Sequence, residues 1–189
     1  MNSTAHRFYN HMRVYGVDRA VADGRAWYPR AWQTCKTISR ETGVAAQRVA
    51  AVMAVTSPRA RWATNVEATA KLCDEYRSGY ILGESNPYSY SYNILGANAK
   101  KAVRVLESRY YSGILSGPKV TAFYAAILGD EDSVTVDSLM SKAAGFGSDV
   151  SDAIREEVVT SVWQIGDVFG LSPRDAQAAV WCAYRGSDV

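Results

Sequence analysis

The stretch ILSGPKVTAFYAAILGDEDSVTVDSLM, residues 114–140, sets one lysine directly after a Gly-Pro turn and one aspartate between a β-branched run and a new apolar stretch. Lys119 and Asp137 are the residues whose types and spacing suit chemistry. The turn Leu115-Ser116-Gly117-Pro118-Lys119 leads into an apolar run, so it reads as a helix start, and leading backbone N–H groups that point outward can hold a phosphate. A lysine there faces the positive end of the helix dipole, which disfavours its charged form, and burial acts in the same direction. An amine held neutral is a nucleophile. Asp137 lies 18 positions after Lys119. A helix of about ten residues can run away from the turn over that distance and a short extended connection can return, so both groups can meet at one mouth. Each also has a plainer role open to it: a solvated first-turn lysine, and a helix N-cap.

The elements that must position this pair are helical nearly throughout. From Trp27 to Thr42 the apolar positions Trp27, Ala31, Trp32, Cys35 and Ile38 recur at three- and four-residue steps, with Gly43 where a C-cap would sit. Residues 44–57, VAAQRVAAVMAVTS, are apolar on all sides and predict a buried central helix that stops at Ser57-Pro58. Helical spacing resumes over 62–77, and the Tyr-rich stretch 79–93 reads as a long loop. Over 98–114 a helix is predicted with Ala102, Val105, Leu106 and Tyr110 on one face and Lys100, Lys101 and Arg104 on the other. The run 119–128 predicts a second buried helix, and Val134-Thr135-Val136 predicts a short extended approach into a helix capped near Asp137. Residues 148–170 and 172–186 form the last two helices, the latter with Ser172 as cap, Pro173 in the first turn and Gly186 as terminator. The sum is an all-α fold, with a helical extension over residues 1–26 and a single domain over 27–189.

Bulk properties bound the partners. With 189 residues, 48% of them hydrophobic, the chain can bury one sizeable core. A net charge of only +2 means that a nucleic-acid partner needs a local basic patch. Cys35, Cys73 and Cys182 lie far apart without metal-ligand spacing, which argues against a disulfide framework, a zinc ribbon or an iron–sulfur cluster. An intracellular, reducing compartment fits that usage, and no run has the roughly 18 apolar residues of a membrane span. His6 and His11 make a poor metal site, and no cofactor is implied.

The ordered succession of segments resembles the helix-hairpin-helix DNA glycosylases, of which endonuclease III is the best-known type. LSGPKVTA looks like the family's hairpin lysine at the head of an apolar helix, and VTVDSLM like its aspartate turn about eighteen residues later. VAAVMAVTSPRARWATN is similar to the buried helix and the loop that enters DNA, NAKKAVRVL to the helix before the hairpin, and AQAAVWCAYRG to the closing helix. The resemblance covers about residues 27–186 and implies a two-lobed helical domain. There are departures: Gly117-Pro118 stands where the family usually has Gly-x-Gly, so proline removes one amide donor to the DNA backbone. Ser138-Leu139-Met140 replaces a polar residue and histidine after the aspartate, and the four-cysteine cluster of some members is missing.

The resemblance implies base excision from modified or damaged double-stranded DNA, with the base flipped out of the stack. Lys119 would attack the sugar carbon and form a Schiff base, which opens the way to strand cleavage, while Asp137 would accept the amine proton and stabilise positive charge on the sugar. Ser57 and Arg59 would probe the gap left by the base, and Arg61, Lys100, Lys101, Ser116 and Gly117 would hold the backbone. Trp62 could stack and Gln177 could contact the base, though both also suit structural roles. Two other functions stay open. A phage-encoded branch of the fold could attach amines or amino acids to activated 5-hydroxymethyl pyrimidines, and a non-catalytic DNA-binding module could keep the scaffold alone.

Overall fold

The computed structural model describes residues 1–79 and 93–186. Among these residues it contains nine α-helices, one short 3₁₀ turn and no strand. The helices are α1 Ser3–Tyr15, α2 Val17–Thr42, α3 Ala46–Thr56, α4 Trp62–Arg77, α5 Gly96–Glu107, α6 Pro118–Ile127, α7 Ser138–Ala144, α8 Asp152–Phe169 and α9 Pro173–Arg185, with the 3₁₀ turn over Ser112–Ile114. Of the Tyr-rich stretch 79–93, residues 80–92 lie outside the described residues.

Local chemistry sets most of the boundaries. At the head of α9 the Ser172 hydroxyl accepts from the Asp175 amide at 3.2 Å, Pro173 occupies a position that needs no N–H donor, and Gly186 ends the helix. Asn2 caps α1 through the Ala5 amide at 2.8 Å. Two boundaries differ most from the sequence expectation. α5 stops at Glu107 instead of running to residue 114, because Ser108 takes an extended conformation (φ −74°, ψ 135°) and the chain re-forms only as the 3₁₀ turn. α2 begins ten residues before Trp27 and carries Gly24 and Pro29 in its interior, both of which read locally as helix breakers. Gly24 is there for space: a Cβ would sit 2.5 Å from the Asp175 carbonyl oxygen and 2.7 Å from the Ala179 Cβ, so α2 passes directly against the backbone of α9.

The described residues gather into two compact units, one of residues 1–30 with 125–189 and one of residues 31–124. The expected division after residue 26 falls inside α2, and the first helix is no extension. Ala5, Phe8 and Met12 form a three- and four-step apolar stripe, fully buried among Val136, Met140, Val158, Val162, Ile165 and Ala179. In the unit of residues 31–124, α3 is buried along nearly its whole length, from Val49 to Val55, with α4 and α5 packed on it. Cys35, Cys73 and Cys182 are free and buried, and burial pushes each thiol up to about 12, so all three stay protonated. Among the described residues no helix is long and apolar enough to cross a membrane.

Since Phe8 is part of a shared core, Phe8→Ala is expected to lower the unfolding free energy by about 3–5 kcal/mol. Urea denaturation checks this; a loss below about 1 kcal/mol would make α1 peripheral after all.

Candidate functional site

Within the unit of residues 31–124, the first two turns of α5 tie together two of the loops expected to meet DNA. Asn98 Nδ2 donates to the Pro58 carbonyl at 3.2 Å, and Lys101 Nζ, on the same helix face, donates to Ser116 Oγ at 2.8 Å. Ser116, Gly117 and Lys100 are exposed around this junction. The Ser57–Arg61 loop starts as a tight turn closed by the Ala60 amide on the Ser57 carbonyl at 3.2 Å. Its third residue, Arg59, is exposed and holds φ at +62°, a left-handed conformation that costs a non-glycine residue on the order of 1–2 kcal/mol. Arg61 is exposed at the N-cap of α4, and Trp62, the first residue of that helix, is half-buried.

Ser57 requires a correction. It is only 9% exposed, and its hydroxyl donates back to the Ala54 carbonyl at 2.9 Å, which closes the last turn of α3 and turns the side chain away from the surface. Beneath the loop lies a buried polar lock. Thr56 Oγ1 donates to Asn65 Oδ1 at 2.5 Å, Asn65 Nδ2 donates to the Met53 carbonyl at 3.0 Å, and Thr69 Oγ1 stands 3.3 Å from Thr56 Oγ1. The lock joins the end of α3 to α4 and so fixes the span between them.

The turn into α6 follows the predicted pattern. Gly117 has φ +90°, where a side chain would be strained, and its carbonyl accepts the first helical bond, from the Thr121 amide at 3.1 Å. Pro118 takes the first helical position and Lys119 the second, half-buried.

Asp137 belongs to the other unit. Residues 133–137 carry no helix, and Asp137 then caps α7: its Oδ1 accepts from the amides of Leu139 at 3.0 Å and Met140 at 2.9 Å. The approach to it is held by a buried polar cluster. The Tyr28 hydroxyl donates to Gln177 Oε1 at 2.7 Å and shares a hydrogen bond with Thr135 Oγ1 at 3.1 Å. Burial pushes the Tyr28 phenol up, so it stays a neutral donor. The Arg174 guanidinium stands 5.8 Å from the Tyr28 ring centroid, bonded to Asp175 Oδ1 at 2.9 Å and 3.7 Å from Glu131 Oε1. Gln177, 4% exposed, is therefore a structural partner of Tyr28 rather than a base contact.

Sequence reasoning passed over Asn98, Asn65, Tyr28 and Thr135. Their only signal was polarity on otherwise apolar helix faces or, for Thr135, within a β-branched run. It also saw a nearly neutral chain. By unit the charge is uneven: residues 31–124 hold 12 Lys+Arg against 6 Asp+Glu, while the other unit holds 9 against 13. His11 donates through Nε2 to the Ala143 carbonyl at 3.0 Å, and no group of three or more potential metal ligands occurs among the described residues.

The chain is thus an all-helical protein with a basic unit built on α3, α4 and α5 and an acidic one that carries a capping aspartate. It belongs to the family described as Family of unknown function (DUF7178), whose model matches residues 8–188. No curated protein and no solved structure matches it.

Two outcomes follow from these geometries. Asparagine caps helices about as well as aspartate, so Asp137→Asn is expected to melt within a few degrees of wild type while Asp137→Ala loses about 0.5–2 kcal/mol; equal losses in a thermal melt would contradict the capping role. Arg59→Gly removes the left-handed strain and is expected to keep or raise stability by up to about 1 kcal/mol. A loss of more than about 1 kcal/mol by denaturant titration would mean that the arginine side chain holds the loop.

Proposed function

We propose that this chain is a DNA base-excision glycosylase with abasic-site lyase activity, in a two-lobed domain of the helix-hairpin-helix type, and that Lys119 and Asp137 act on one flipped, modified or damaged nucleotide. The observation that carries the reading is how each group is delivered. Lys119 is the second residue of a helix that starts after a left-handed glycine turn, and Asp137, itself extended, caps the next helix at the end of a non-helical segment. These are the local settings that the glycosylase resemblance requires of its nucleophile and its carboxylate. The excess positive charge of residues 31–124 supports a polyanionic substrate on the unit that holds Lys119.

In this mechanism the Lys119 amine attacks C1′ of the flipped nucleotide, and the bond from C1′ to the base breaks as the base leaves. The Asp137 carboxylate takes the proton released by the attacking amine and offsets positive charge on the sugar. Opening of the sugar ring gives a Schiff base, from which the 3′ phosphate can be eliminated. Arg59 probes the gap left by the base, and Arg61, Lys100, Lys101, Ser116 and Gly117 supply contacts to the strand backbone, which set register without reading sequence. Asp137 can serve as cap and base together, since its cap bonds use Oδ1 alone.

The test is incubation with duplexes that carry a panel of modified pyrimidines and oxidised purines, followed by mass spectrometry of all products. Free base is expected from at least one duplex, and Asp137→Asn is expected to abolish its release while the protein stays folded. An enlarged nucleotide instead of a free base would replace excision by group transfer, and no product from any duplex would leave a binding module.

A further inference from the structure

The proposed chemistry leaves unused the outward half of a tyrosine doublet at the end of α5. Tyr111 turns inward: its ring meets Tyr124 edge-on at 6.5 Å, and the Arg48 guanidinium lies 5.1 Å from its centroid. Tyr110, expected on the apolar face of a helix that instead ends at Glu107, takes the opposite course. It is 77% exposed, the most exposed aromatic residue among those described. The backbone around it is nonetheless pinned, because Ser108 Oγ donates to the Tyr110 carbonyl at 2.9 Å and the Ile114 amide donates to the Tyr111 carbonyl at 2.9 Å. The ring is presented on a held turn.

Its surroundings select a partner. The Arg109 guanidinium stands 5.4 Å from the Tyr110 ring centroid. Between residues 93 and 124 the chain carries Lys100, Lys101, Arg104, Arg109 and Lys119 against a single acid, Glu107. The chain neighbours of Tyr110 include Ser108, Arg109, Ser112 and Gly113, which are polar, charged or small. An exposed aromatic face beside a guanidinium, on a stretch of net positive charge, suits single-stranded nucleic acid, with phosphates on the charges and a base on the ring.

We propose that Tyr110 is a base-stacking residue that caps an unpaired nucleobase of the DNA strand held by the unit of residues 31–124. This rests on the reading that the unit binds DNA, and it adds which form of DNA is preferred. In a paired duplex both faces of a base are covered by its neighbours, so a tyrosine can stack only where a base is unpaired, bulged or single-stranded.

Fluorescence anisotropy of the full chain tests this with three labelled probes at one salt concentration: a single-stranded oligonucleotide, a duplex with a one-base bulge, and a fully paired duplex. Tyr110→Ala is expected to weaken the first two about tenfold and to leave the third within about twofold, with Tyr110→Trp restoring the difference. Arg104→Ala is expected to weaken all three alike. The proposal is overturned if Tyr110→Ala leaves all three unchanged or weakens all three equally while its thermal melt matches wild type. Binding of no probe by the wild-type chain would instead remove the DNA partner itself, and this proposal with it.

Discussion

Two backbone amides that converge on one carboxylate oxygen of Asp137 are the constraint on which the account turns. They end the extended segment, start α7 and orient the side chain, all through one residue. The cap is served by Oδ1, so in the proposed chemistry the same carboxylate would use its second oxygen for proton transfer. A carboxylate that holds a helix is also one whose position is fixed before any substrate arrives, which is what general-base work demands. The Tyr28, Thr135 and Gln177 cluster extends this fixation one step back along the chain, since Thr135 stands two residues before Asp137 and is bonded to a buried phenol.

The same economy holds in the unit of residues 31–124. α5 uses two residues on one face, Asn98 and Lys101, to tether the Ser57–Arg61 loop and the turn that leads to Lys119. The positive charge is therefore mounted on segments whose backbones are held by hydrogen bonds. The left-handed Arg59 fits this pattern: a strained conformation persists only where its surroundings hold it, and the Thr56, Asn65 and Thr69 lock lies directly beneath. Division of the charge between the two units is what allows a nearly neutral chain to be proposed as the binder of a polyanion.

How much of this the sequence disclosed follows from the range of the interactions involved. The all-helical class, the extent of α4, the caps of α9 and the Asp137 cap depend on residues within a turn of one another, and the sequence displays them directly. The start of α2 lies ten residues before the expected Trp27, beyond Gly24, a local breaker whose reason lies in Asp175 and Ala179, about 150 residues away. α1 was read as an extension because its apolar stripe finds its cover in helices at the opposite end of the chain. Ser57 was misread for a local reason: a serine at a helix exit can bond back to its own helix as readily as it can face a partner. The helix start at Lys119, the cap at Asp137 and the basic face of α5 are local features and legible, whereas the bonds from Tyr28 to Thr135 and Gln177, which span 107 and 149 residues, are not.

In the proposed function the Lys119 amine and the Asp137 carboxylate serve the same sugar carbon. Reduction with borohydride during incubation with a duplex containing an abasic site, followed by peptide mapping, measures this most directly. The account predicts a stable adduct of DNA on Lys119 that forms in the wild-type chain, is lost in Lys119→Gln and is strongly reduced in Asp137→Asn. An adduct on another amine, or excision that proceeds with no trapped lysine at all, would contradict it.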